Sequence, residues 1–287
     1  MAILWIGCVL CPFAQSKDIP RAAETTSLDR GFSGLYNLDF AGAQRDFANW
    51  QQLHPDDPVG PVSEAAGFLF SEFNRLGVLE AQFYESNSAF TNRPKQTPDP
   101  TLREHFQAAI TRAENLAHAR LAKDPRDQDA LFALTLASGL QADYAALIEK
   151  RNLASLHYTK EASASGQQLL AVCPNCYDAL LATGFSKYII GSMAAPVRWI
   201  LQIGGFPADK QGGIDDLKTT AEHGHYLAPS REFCWQSPMF AKKTKLQPCS
   251  CSRVCASSFP AIRYSRAKLR DCRPPTERTS SPKKNLT

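Results

Sequence analysis

LAKDPRDQDAL, residues 121–131, closes one amphipathic helix and opens another. Proline has no N–H to donate and its ring collides with the preceding turn, so Pro125 stands just past a helix end. The polar residues after it suit a turn and then a helix cap. The same device recurs at LHPDDP (53–58) and at LLAVCPNCYDALL (169–181). A proline placed repeatedly beyond a helix end sets a fixed angle between successive helices.

Outward from these turns the apolar residues keep helical spacing. Leu28, Phe32, Leu35 and Tyr36 form one set, and Phe40, Ala43, Phe47 and Trp50 the next. Ala66, Leu69, Phe70, Phe73 and Leu76 follow the break at Gly60-Pro61. A loop spans Thr91 to Pro100, and Pro100-Thr101 opens a helix that stops at Asp124-Pro125. Further helices are predicted over 128–141, 144–172, 175–191 and 212–226. Strand signals are scarce, so the expected class is all-α.

Gly31, Phe40, Ala43, Phe47 and Pro55 fall at the spacing of a 34-residue helix–turn–helix unit, and here the chain resembles tetratricopeptide repeats. Ala113 with Pro125, and Ala162 with Pro174, repeat the family's alanine-to-proline spacing of twelve. Trp50 departs from the pattern, because the family prefers a small residue there. The three prolines lie 70 and 49 residues apart, so the expected architecture is a degenerate α-solenoid with insertions, covering residues 24–229. The resemblance implies binding of a protein or peptide on a concave face, without catalysis.

The chain has 287 residues, 44% of them apolar and 21% charged, enough to bury a core and too hydrophobic for a disordered chain. The net charge of +4 hides a seam near residue 230. Residues 230–287 hold 13 Lys and Arg against 3 Asp and Glu, a net of +10. Residues 1–229 carry 19 basic and 25 acidic groups, a net of −6, which makes nucleic acid a poor partner. Cys234, Cys249, Cys251, Cys255 and Cys272 also lie in that last fifth.

Three readings of the tail stand beside one another: a basic arm for nucleic acid or anionic lipid, a metal site at Cys249, Cys251 and Cys255, and a shifted reading frame. The third accounts for more. Phe, Cys and Trp codons begin with U, and a middle U encodes only apolar residues. In a frame moved by one base, Ser230, Phe233, Cys234, Trp235, Ser237 and Phe240 would therefore become an apolar helix face. The spacing of twelve recurs in that frame too. A chain lacking this last unit is expected to show an exposed apolar end around Ile214, Leu217 and Leu227.

At the other end, AILWIGCVLCPFA (2–14) followed by Ala14-Gln15-Ser16 reads as a signal peptide over 1–16, with a linker over 17–23. The expected location is periplasmic or secreted, with peripheral envelope association and no transmembrane span. Cys173 and Cys176 suit a structural disulfide or a plain turn; a thiol–disulfide protein is the alternative, though Cys173 sits at a helix C-terminus, where the dipole disfavours a thiolate. His223 and His225 point to different faces of a helix end, and His54 and His118 lie at or near helix ends as well. The apolar segment 186–206 reads as an inserted helix packed in the core, with docking on lipid or a partner through Trp199, Ile200 and Ile203 as the alternative. GxGxxG, P-loop, GxSxG and HExxH motifs are absent, so no enzyme, cofactor or metal is expected. A helical protein that binds a small ligand is the remaining alternative.

Overall fold

The computed structural model describes residues 25–78 and 97–227. The signal peptide 1–16, the linker 17–23 and the tail 230–287 lie outside the described residues. Those described form helices and no strand: α1 (Ser27–Tyr36), α2 (Phe40–Leu53), α3 (Val59–Arg75), α4 (Pro100–Leu121), α5 (Gln128–Asp143), α6 (Asn152–Val172), α7 (Ala179–Ser192), α8 (Ala195–Ile203) and α9 (Lys210–His223). A π turn, Tyr144–Glu149, prolongs α5.

Local chemistry sets the helix starts. Thr26 and Asp29 make a reciprocal capping box on α1, at 3.1 Å and 2.8 Å. Asp99 caps Thr101 and Leu102 ahead of Pro100, a residue suited to a first helical position because its missing N–H would be unpaired there anyway. Asp127 accepts from Ala130 N–H at 2.9 Å. Glu72, buried in α3, takes both Arg75 nitrogens at 2.7 Å and the Asp99 N–H at 2.8 Å, fastening the start of α4 to the end of α3.

The three prolyl turns share one hydrogen-bond pattern. The residue before each proline (His54, Asp124, Cys173) donates its N–H to Trp50, Arg120 and Leu169 respectively, four residues back. Its carbonyl then accepts from Asp57, Asp127 or Cys176, three residues on. The prolines themselves are exposed at the rim.

Packing follows chain order in pairs: α1 with α2, α3 with α4, α5 with α6, α7 with α9. Each second helix touches the first helix of the next pair, and the first helices touch in succession, α1 to α3, α3 to α5 and α5 to α7. Leu28, Ala43, Phe47, Val62, Leu69, Ala113, Leu131 and Leu169 contribute to one continuous core. A smaller cluster of Tyr188, Ile214 and Leu217 sits between α7 and α9. With its π turn, α5 has a membrane span's length and a mean hydropathy of 1.4, yet it is buried against its neighbours as the central core helix.

Four expectations change. Residues 144–172 are not one helix: Lys150, at φ 58°, breaks the run after the π turn. The last helix stops at His223, and residues 225–227 leave it. Segment 186–206 divides: its first part ends α7 and buries Ser186, Tyr188 and Ile190, whereas the piece from Pro196, expected to pack in the core as an inserted helix, lies in α8, which buries none of its residues. Ile214, Leu217 and Leu227 are buried rather than exposed, because α9 turns the first two toward α7 and the chain after Gly224 folds Leu227 back into the main core.

Candidate functional site

The repeat-pattern residues come together as packing groups. Gly31 of α1 lies against the Phe47 ring of α2, so close that an added Cβ would overlap the ring carbons. Ala43, Phe47, Ala113 and Ala162 are buried, and Phe40 packs on the edge of the core. Trp50, too large for the repeat pattern, is accommodated at the rim. Its ring stacks on His54 with centroids 3.8 Å apart, and its Nε1 donates to Asp57 Oδ2 at 2.6 Å.

Pro55, Pro125 and Pro174 mark a rim where the turns differ in chemistry. Arg120 joins the first two turns, with Nε 2.7 Å from Asp127, Nη2 3.2 Å from Asp129 and Nη1 3.8 Å from Asp57. Burial and the neighbouring Asp57 carboxylate hold the Asp129 carboxyl above its ordinary range despite the arginine. In the third turn Cys176 occupies the place that Asp57 and Asp127 hold in theirs, two residues after proline, and it is disulfide-bonded to Cys173. Cys173 terminates α6, beside carbonyls whose partial charge opposes a thiolate. The bond therefore serves to close the turn. Replacing both cysteines with serine should cost about 2 kcal/mol, the loop-closure value for so short a ring. Thermal melting of oxidised, reduced and double-serine protein checks this.

The feature that spacing did not announce lies after α9. After Gly224 the chain bends through residues 225–227, and Asp178 accepts three successive backbone N–H groups: His225 at 3.0 Å, Tyr226 at 3.1 Å and Leu227 at 3.0 Å. Asp178 precedes α7 but does not cap it; its carboxylate is given wholly to this strap. Gly224 is required by proximity, since a Cβ there would lie 2.7 Å from Asp178 Oδ1. The strap then reaches α1. Tyr36 donates its phenol to the Tyr226 carbonyl at 2.9 Å, and His225 Nε2 lies 2.8 Å from Asp29 Oδ1.

The Tyr226 ring sits between the first helices, 4.9 Å from Phe32 of α1 and 5.9 Å from Phe132 of α5. Burial first, then the carboxylates of Asp29, Asp178, Asp57 and Asp129, push its phenol well above the ordinary range, so it stays neutral at any working pH. The site thus combines an aromatic slot, a carboxylate that holds three successive backbone N–H groups, and a surrounding set of acids. Asp29, Asp178 and Tyr226 were missed by motif reading, since none belongs to a recurring spacing, and Tyr36 was read only as a member of the apolar face of α1. The one available signal was a tyrosine and a leucine directly after a glycine helix stop.

His225 is exposed yet lies against Asp29, whereas His223 ends α9 with its ring against Tyr177 at 5.2 Å. No cluster of metal-ligating side chains occurs among the described residues. An open groove of about 580 Å³ runs beside α4, lined by Glu104, Thr111, Arg112 and Asn115 among others of that helix. It lacks the convergent groups from several elements that hold a small molecule. No family model matches the chain, and no curated protein or solved structure is similar to it.

Proposed function

We propose that this protein is a degenerate tetratricopeptide-like array that binds an extended segment of a partner protein, without catalysis. Support for the array comes from the succession of first helices, the shared hydrogen-bond pattern of the prolyl turns, and the burial of the small residues at repeat positions. The observation that carries the binding function is the strap itself. A short non-helical stretch of chain already lies on the face made by α1, α5 and the start of α7, held by its backbone N–H groups and one aromatic side chain. Backbone groups give affinity irrespective of sequence, and side-chain slots give selectivity. A partner segment with an aromatic residue beside a basic one fits the same chemistry and competes with the strap. The Cys173–Cys176 bond supports an oxidising, extracytoplasmic setting.

The test uses the full chain with Tyr226→Ala and Leu227→Ala, which empties the slot. A fluorescein-labelled peptide copying residues 222–229 should bind this variant saturably, and at least about tenfold more tightly than it binds the wild type, whose own strap competes. The same peptide with alanine for tyrosine should not bind. A variant that is helical by circular dichroism yet ignores the peptide would sink the reading.

A further inference from the structure

Independently of peptide binding, α8 presents a surface that the fold does not use. It interrupts the pairing of α7 with α9 and buries none of its own residues. Four of the seven large apolar side chains exposed among the described residues belong to it, so the exposure is concentrated rather than scattered. Val197, Trp199, Ile200 and Ile203 stand 49%, 65%, 63% and 70% exposed. Pro196, Trp199, Ile200 and Ile203 follow the i, i+3, i+4, i+7 spacing of a single helical face. Single exposed apolar residues need no explanation; a contiguous face does.

Charge indicates what covers it. Between Asp178 and Asp209 the sequence has no Asp or Glu, although residues 1–229 carry a net of −6. Lys187 is matched by Asp216 at 2.8 Å. Arg198 lies with Leu201 on the partly covered side of α8, away from this face. At its far end the exposed Lys160 donates to Gly204 O at 2.9 Å and lies 5.7 Å from the Phe206 ring. Leu153, 85% exposed, lies two turns before Lys160 on the same side of α6. A tryptophan with aliphatic neighbours, on a run of chain without acidic residues and with a lysine at its end, is the chemistry of an interfacial helix. A second copy fits less well. The four side chains of α8 expose on the order of 500 Å², below the ~800 Å² per partner of a stable interface.

We propose that α8 docks the protein on an anionic lipid surface, with Trp199, Ile200 and Ile203 entering the boundary between headgroups and acyl chains and Lys160 meeting phosphates. The full chain should sediment with phosphatidylcholine vesicles containing phosphatidylglycerol, and markedly less with phosphatidylcholine alone. The triple variant Trp199→Ser, Ile200→Ser, Ile203→Ser should lose about tenfold in vesicle affinity while keeping its helicity and melting temperature, because none of these residues is buried. Lys160→Glu, which leaves the apolar face intact, should weaken binding to the anionic vesicles specifically.

Equal binding by the triple variant overturns the proposal and assigns lipid affinity elsewhere, the basic residues 230–287 included. Absence of wild-type binding overturns it as well. So does a wild-type dimer that the triple variant abolishes, which would make the face a contact between copies. A large fall in the variant's melting temperature would show the face to be part of the core, with the same consequence.

Discussion

Asp178→Ala is expected to lower the free energy of unfolding by about 3–5 kcal/mol, the sum of leaving three backbone N–H groups without their acceptor. Leu227 N–H is the costliest of the three, because its residue is buried in the main core and water cannot replace the carboxylate. For a body of this size the change corresponds to a melting temperature lower by about 10 °C. Asp178→Asn keeps one acceptor oxygen and should fall between wild type and alanine. Calorimetry on the three proteins reads the order directly. Equal melting temperatures would mean that the strap is held by its apolar side chains alone.

Phe47→Ala should cost about 3–5 kcal/mol, since the ring is fully buried and fills the space between α1 and α2. It also packs edge-on against Phe32, with centroids 5.5 Å apart, so its loss loosens the wall of the slot that holds Tyr226. Gly31→Ala makes the pairing explicit. In the wild type the new methyl meets the Phe47 ring and should cost about 1–3 kcal/mol of overpacking. In the Phe47→Ala background the obstruction is gone, and alanine's better helix propensity should make the same change stabilising by about 1 kcal/mol. A double-mutant cycle by urea unfolding checks the reversal of sign. Additive values would show that Gly31 is not there for the ring.

The helices and their turns were legible because each rests on local chemistry: periodic apolar residues, prolines beyond helix ends, aspartates at starts. Gly31 with Phe47, and the alanines twelve residues before Pro55, Pro125 and Pro174, were readable for the same reason. The break at Lys150 was not, since no glycine or proline marks it and lysine rarely adopts positive φ. The placement of α8 failed on a different ground. An apolar run announces a wish for burial, but spacing alone does not say whether the fold has room for it. The strap was hidden because its bonds join a carboxylate to backbone N–H groups 47 to 49 residues away, and such donors look alike in every residue. A tyrosine wedge against Phe32, nearly two hundred positions earlier, leaves no trace in any local window.

The bond from the Tyr36 phenol to the Tyr226 carbonyl spans 190 residues, and it imposes an order in time. The first helix pair leaves the ribosome early, with Phe32 and Tyr36 ready to receive a segment that has not yet been made. At ordinary rates of translation that wait lasts about 10–40 s. During it the aromatic slot faces solvent, open to whatever extended chain is at hand. Maturation of this protein therefore waits on a segment made long after the first helices: the stretch that follows α9 is the one that closes the first pair.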